Sequence, residues 1–460
     1  MKFLFATLQY RESDFYGRVG RALGARGHEV SHVTYSRRAA QVLRGRGIDA
    51  HCLPDLMKEE LPASWRDLEA QIVREHPIAS LGDVYRTDPP YRHGDSPERC
   101  AERTVQQFVA TQRLFGRLRP DLVVPEVGSE SMRTVVHLVG TAQGATTLFL
   151  MYTLFDDPLR LYADTLDAPI VSQDELRPLS RDEEAELDEF IARYRRRNQP
   201  IRQYRAASLS RGRLSAAARH VAVKALWDRD NLYLTPGTWL ARDLRARARV
   251  SRAERIYSRD VPSHEYMYFP LQVADDYKLI RLRPECADQE AIVERIVEAL
   301  PPGVDLVVKE HPMSIGRNSV RMLRRMASHS RAHLVEPRTS TLELIERSAG
   351  VVTISSTVGL EALMFGRPVM TLGRPFYSGY GTTLDTDWPG PLSDALRGVR
   401  DFRPDRDLVR RFMHAAKRRC YPGAPVLVDD SDENALRLAT TLDRTARGEL
   451  NVARPRAHAG

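Results

Sequence analysis

Short apolar runs alternate with stretches of helical spacing along most of the chain. Met1–Leu8 has the apolar content of a buried strand, and the polar loop Gln9–Ser13 follows. Phe15, Val19, Ala22 and Leu23 then recur at three- and four-residue intervals, which predicts a helix over Asp14–Arg26 with Gly27 past its end. His28–Tyr35, Asp121–Pro125 and Thr146–Tyr152 predict further strands, the last two on either side of a helix over Ser129–Ala142. A second series begins near Glu265. Strands are predicted at Tyr266–Gln272, Val304–Lys309, Ala332–Val335, Gly350–Ile354 and Pro368–Leu372, separated by helices at Gln289–Leu300, Ser319–His329, Ser340–Arg347 and Val358–Phe365. Connections this long cannot be hairpins, so each series implies a parallel sheet with helices on both faces.

The rest of the chain reads differently. Glu98–Leu118 is helical, and Asp88-Pro89-Pro90 reads as an exposed turn. Ser180-Arg181-Asp182-Glu183 is a capping box opening a helix whose end carries Arg193 to Arg197. A basic, helical stretch without strand signal continues to about Arg259. Helices at Arg406–Arg419 and Ser431–Arg447 precede a tail at Asn451–Gly460. The expected organisation is therefore an α/β domain over residues 1–172, a basic helical insertion over 173–262, a second α/β domain over 263–400 and C-terminal helices over 401–460.

Composition narrows the class. At 460 residues, 42% hydrophobic and 28% charged, the chain is neither disordered nor a membrane-spanning bundle. Its start lacks the continuous apolar core of a signal peptide, so a cytoplasmic location is expected. Cys52, Cys100, Cys286 and Cys420 lie far apart without metal-ligand spacing, which argues against disulfides and structural zinc. The net charge of +8 is unevenly spread. Between Arg193 and Arg259, seventeen arginines and Lys224 face only Asp228, Asp230, Asp243 and Glu254, leaving the remainder mildly acidic. Such a patch suits an anionic membrane surface, an anionic substrate or nucleic acid; compositional bias toward arginine also produces it.

Open parallel sheets bind ligands beyond the carboxyl ends of their strands, so the residues just after each strand matter most. Gly350–Ile354 runs into Ser355-Ser356-Thr357, and a helix follows at once with Gly359 and Glu361 in its first turn. Free backbone N–H groups and hydroxyls at a helix start can cradle phosphate, though the same residues also serve as an ordinary N-cap. Gly359 is expected to let a ligand approach, and Glu361 to reach ribose hydroxyls. Val304–Lys309 runs into Glu310-His311-Pro312, where Pro312 stops the strand and aims His311 past the sheet edge. There His311 can donate to a phosphate oxygen, with Lys309 adding charge if its side chain turns the same way.

This order of motifs, strand–Lys-x-His-Pro, then Ser-Ser-Thr-x-Gly-x-Glu-Ala-Leu-x-x-Gly-x-Pro-Val, then Gly373-Arg374-Pro375-Phe376-Tyr377, resembles the capsule polysaccharide biosynthesis family. The likeness is firmest over Tyr266–Thr383, looser over Val123–Ile170, and slight in the basic stretch and tail. It implies a GT-B fold: two Rossmann-like domains with parallel sheets facing a cleft. It also implies a glycosyltransferase moving a Kdo-like sugar from a CMP-activated donor to a glycan or lipid-linked acceptor. By that likeness His311, Ser355, Ser356 and Thr357 contact the donor phosphate, and Gln272 resembles the family's strand-end glutamine near the donor. Gln272 is equally readable as a buried structural amide.

On the acceptor side, Glu126 follows a buried strand and Asp156-Asp157 follows the next. Glu126, Asp156 and His311 are the candidate catalytic groups. Thr153-Leu154-Phe155-Asp156-Asp157 departs from the family's acidic-Gly motif, and either aspartate also reads as a helix cap. No metal or cofactor is expected, since GT-B transferases generally dispense with one. The partners expected are the nucleotide-sugar, the acceptor and an anionic inner membrane surface met peripherally, with no nucleic acid. Rival readings are a teichoic-acid-type CDP-alcohol phosphotransferase, a non-hydrolysing UDP-sugar epimerase (against which Ser355-Ser356-Thr357 counts), and a non-catalytic component of glycan assembly.

Overall fold

The two strand series form two separate six-stranded sheets in a computed structural model that describes residues 1–58, 65–196, 221–234 and 236–454. The first sheet contains Lys2–Thr7 (β1), Glu29–Thr34 (β2), Asp49–Cys52 (β3), Leu122–Pro125 (β4), Thr146–Tyr152 (β5) and Leu159–Ala163 (β6), in the order β3-β2-β1-β4-β5-β6. All pairs are parallel except β5 with β6. The second contains Tyr266–Pro270 (β7), Asp305–Lys309 (β8), Ala332–Val335 (β9), Gly350–Thr353 (β10), Val369–Thr371 (β11) and Leu384–Asp385 (β12), in the order β12-β11-β10-β7-β8-β9, all parallel. Numbered from its own first strand, each sheet runs 3-2-1-4-5-6, the Rossmann order. The direction in which successive strands are added reverses between β1 and β4 in one sheet and between β7 and β10 in the other. Two Rossmann-like units in one chain are the makings of the GT-B fold.

The strand interiors explain the sequence pattern. Every residue of β4, β7 and β10 is buried, as expected where helices cover both faces of a sheet. Met267, Phe269, Leu306, Val308 and Val352 lie in one core cluster of the second unit. Each such side chain contributes roughly 1.5–3 kcal/mol by leaving water. The predicted helices at Gln289–Ala299, Thr341–Arg347 and Val358–Met364 are present, and the Ser180 capping box forms as read: Ser180 N donates to Glu183 and Glu183 N to the Ser180 hydroxyl. Gly27, at φ +88°, makes the turn into β2.

Contacts group the chain into two compact units that differ from the four consecutive segments expected. Among the described residues, one takes those of 1–168, 221–239 and 419–454, the other those of 169–196 and 240–418. The basic stretch is thus divided between them. Asp228 accepts from the Ser36 hydroxyl at 2.7 Å in the first unit, whereas Tyr257 donates to Glu310 in the second. Of the arginine run at its start, Arg195 lies over the Phe365 ring, 4.7 Å from its centroid, while residues 197–220, like 455–460 of the tail, lie outside the described residues. The chain returns to the first unit at its end. Helix Asp432–Ala446 packs on helix Tyr10–Gly24 through Leu438 and Leu442 against Phe15, Val19 and Leu23.

One local expectation is corrected. Asp88 is buried, not part of an exposed turn, because its carboxylate accepts the N–H of Ser131 at 2.9 Å. Strands β3 and β6 and the helix Arg37–Gly45 between β2 and β3 escape the sequence reading. All four cysteines are free and buried. Among the described residues no helix is long and apolar enough to cross a membrane.

Candidate functional site

The carboxyl ends of β10, β7 and β8, three neighbours in the second sheet, deliver Ser355, Gln272 and His311 to one edge. Pro270 is in register with Lys309, so Gln272 and His311 each stand two residues beyond a matched pair. Ser355 and Gln272 flank the β7/β10 switch point, where the loops from the two strands diverge and leave a crevice.

Gln272 closes that crevice from below. In the orientation that satisfies both ends of its amide, its oxygen accepts the N–H groups of Ser355 and Ser356 at 2.9 and 2.8 Å, and its nitrogen faces the Ser355 hydroxyl at 3.3 Å. Gln289, at the start of the following helix, holds the Gln272 backbone in turn. Its side chain accepts from Gln272 N at 2.7 Å and donates to Gln272 O at 3.1 Å. Of the two readings of Gln272, the buried structural amide is therefore the one realised, and it already occupies two of the N–H groups expected to meet phosphate.

The three hydroxyl residues divide their work. Ser355 is buried against Gln272. Ser356 Oγ accepts from Val358 N at 3.2 Å, an internal cap of the short helix, while its carbonyl accepts the Tyr377 hydroxyl. Thr357 is half-buried, and among the described residues its hydroxyl makes no hydrogen bond. Gly359 does not leave room for a ligand, as had been expected. A Cβ there would stand 2.2 Å from Tyr377 Oη, so the missing side chain is what lets Tyr377 pack over the helix and brace the loop. Tyr377 was visible in the motif that carries the family resemblance but received no role; Gln289, at a helix start, carried no signal.

His311 stands in extended backbone and caps the turn Pro312–Ser314. Its Nδ1 accepts the Met313 N–H at 3.1 Å. An accepting Nδ1 places the proton of the neutral ring on Nε2, so the imidazole offers a donor. Burial lowers the pKa of His311, Lys309 and Arg317 lower it further, and Asp276 opposes them. The ring is thus held toward its neutral form.

Lys309 and Glu361 lie deeper than expected. Lys309 Nζ donates to Thr339 O at 2.7 Å and Thr341 Oγ1 at 2.6 Å, and burial brings it down to about 8. Burial raises the Glu361 carboxyl; the Tyr194 hydroxyl donates to it, and Lys309 opposes the rise. Both charges are engaged by protein groups of their own unit. Behind His311, Glu310 is fully buried, accepts from Tyr257 and from Asn318 at 2.9 Å, and is pushed by burial up to about 7.

In the first unit Glu126 also follows its strand, but only 3% of it is exposed. The Tyr16 hydroxyl and Val426 N, at 3.1 Å, donate to one carboxylate oxygen, and burial raises its pKa. Glu126 thereby fastens the returning C-terminal segment to the β1/β4 crevice. Arg133 lies beside it, paired at 2.8 Å with Glu12. Asp156 is exposed in the loop between β5 and β6, which Thr153 N closes by donating to Pro158 O at 2.7 Å. A strand follows that loop, so neither Asp156 nor Asp157 caps a helix.

Residues 191–392 match the family model "Capsule polysaccharide biosynthesis protein". The match contains all of Tyr266–Thr383; it also begins inside the basic stretch, where the motif resemblance is slight, and leaves out Val123–Ile170. Protein FixF of Sinorhizobium fredii is 33% identical over 150 residues, covering 32% of this chain and 36% of FixF. Capsule polysaccharide modification protein LipA of Neisseria meningitidis serogroup B is 32% identical over 84 residues, covering 18% of this chain and 12% of LipA. The aligned stretches thus span about a third of FixF and an eighth of LipA. Among solved structures, the β-Kdo 2,7 transferase of Thermosulfurimonas dismutans KpsC aligns over 75% of this chain and 97% of that one, at 16% identity and a TM-score of 0.34.

Proposed function

From a chain that carries the capsule polysaccharide biosynthesis signature across its second Rossmann-like unit, we propose a glycosyltransferase of surface-polysaccharide assembly. Its donor is a nucleotide-sugar bound at the carboxyl edge of the second sheet, in the finer reading a CMP-activated, Kdo-like sugar. The observation that carries the proposal is that His311 and the Ser355–Thr357 turn follow β8 and β10, the two strands that flank β7, at one sheet edge, with Gln272 after β7 fixing the turn.

The chemistry follows from what each group has left to offer. Breaking an anomeric bond to a phosphate leaves negative charge on the departing nucleotide. His311 Nε2–H and the Thr357 hydroxyl are donors at that edge without another duty among the described residues. Preorganised donors of this kind lower a barrier by about 3–4 kcal/mol each. The Gln272 clamp removes the need for the loop to order itself on binding. The acceptor hydroxyl is expected to meet the first unit at its own carboxyl edge, where Asp156 is exposed and Glu126 is not. A cytoplasmic enzyme held at an anionic inner membrane surface by its arginines fits such an acceptor.

A thermal-shift panel of CMP, CDP, UDP, GDP and ADP tests the donor. Selective stabilisation by CMP, abolished in His311→Ala, is the expected result. A response to UDP alone redirects the reading to a UDP-sugar. Indifference to all five nucleotides removes it.

A further inference from the structure

The amino-terminal edge of the second sheet carries a side-chain group that the proposed chemistry does not use. Asp305 opens β8, His333 is the second residue of β9, and His264 stands two residues before β7. Register pairs Tyr266 with Asp305 and Val307 with His333. Because side chains alternate along a strand, Asp305 and His333 share one face. Nε2 of His264 lies 2.8 Å, and Nε2 of His333 2.7 Å, from the same oxygen, Asp305 Oδ2. One ligand atom from each residue falls within 4.8 Å of the other two.

We propose that His264, Asp305 and His333 form a binding site for a divalent transition-metal ion, zinc foremost, with water completing the coordination. Two imidazoles and one carboxylate are the donor set that zinc favours; calcium and magnesium prefer oxygen alone. Metal–ligand bonds of about 2.0–2.2 Å in a tetrahedral arrangement separate ligand atoms by roughly 3.3 Å, so the present contacts need to open by about half an ångström. His264 can supply that movement, since 53% of its side chain is exposed. The nearest other cation is held back. Arg331 Nε stays 3.9 Å from Asp305 Oδ1 while its terminal nitrogens donate to the carbonyls of Leu300, Pro301 and Val304.

The site is remote from the donor edge. From Asp305 to Lys309 a strand rises roughly 13 Å, so an ion here cannot touch a group held by His311. It would instead tie together the entries to three adjacent strands, stabilising the fold by mass action.

The test uses the tag-free full chain stripped with EDTA and titrated with zinc chloride. One zinc per chain is expected, with a raised melting temperature and affinity reduced at least tenfold in His264→Ala and in Asp305→Asn. Cobalt(II) should give a visible d–d band that both variants lose. His264→Ala removes an exposed ring, and circular dichroism confirms its fold. Absence of stoichiometric zinc, or equal uptake by the His264→Ala/His333→Ala double variant, overturns the site.

Discussion

Gln272 and Ser355, 83 residues apart, are joined across the switch point of the second sheet so that one amide oxygen takes up two consecutive backbone N–H groups. The helix-start turn is therefore shaped before any ligand arrives, and its free donors are those at Thr357 rather than those at Ser355 and Ser356.

Removing that amide should loosen the turn. Gln272→Ala leaves the buried Ser355 N–H without its acceptor, at about 1–3 kcal/mol, and leaves the Ser356 N–H only the Thr353 hydroxyl at 3.2 Å. Chemical denaturation should show the loss, and isothermal titration with CMP should show at least tenfold weaker binding. Gln272→Glu keeps an acceptor in place but sets a negative charge beneath the donor phosphate. It should therefore weaken CMP binding with a smaller loss of stability.

Glu310 gives the second unit a pH dependence of known sign. Its folded pKa, about 7, lies above the ordinary 4.5, so the folded state holds a proton that the unfolded chain releases. The resulting stability is complete below pH 4.5 and is lost as pH rises through 7, by about 3 kcal/mol. Glu310→Gln has no proton to lose, and its amide can still accept from Tyr257. Urea unfolding should find the variant more stable than the parent at pH 8 and close to it at pH 5.

His32 acts in the opposite direction in the first unit. It is wholly buried beside the Phe5 ring, neither nitrogen has a hydrogen-bond partner among the described residues, and burial lowers its pKa to about 3. The unfolded chain binds a proton near pH 6.5 that the folded chain refuses. Stability therefore falls as pH drops below 6.5, by about 3 kcal/mol at pH 4.5. His32→Leu should flatten the decline between pH 6.5 and 4.5, measured by urea unfolding.

Which features were legible in the sequence follows from the range of the interactions involved. Strands β7 and β8 declare themselves through continuous apolar runs, and the residues after them fall where a parallel sheet must present them. β3 escapes because Asp49–Cys52 is short and half polar, and β6 because Leu159–Ala163 holds a buried arginine at its second position. The site was legible as a set of positions but not as a division of labour. That Ser355 answers to Gln272, or that Gly359 makes room for Tyr377, depends on contacts between distant segments that no local pattern encodes. The basic stretch misled for a related reason. Its charge is conspicuous, whereas the contacts that matter are made by Asp228 and Tyr257, which are ordinary residues in sequence.

The two carboxylates of the first unit should separate under mutation. If Glu126 holds the C-terminal segment in place, Glu126→Ala deprives the buried Tyr16 hydroxyl and Val426 N–H of their acceptor and should cost several kcal/mol of stability, with activity falling alongside folded protein. Glu126→Gln keeps an acceptor for both and should recover most of each. Asp156 is exposed, so Asp156→Asn should leave the melting temperature unchanged. Were Asp156 the base that activates the acceptor, the same variant would bind CMP normally and lose transfer by about 10²–10⁴-fold. Sugar transfer measured on folded protein separates the two roles: full activity in Asp156→Asn, or a loss in Glu126→Gln without loss of stability, would reverse the assignment.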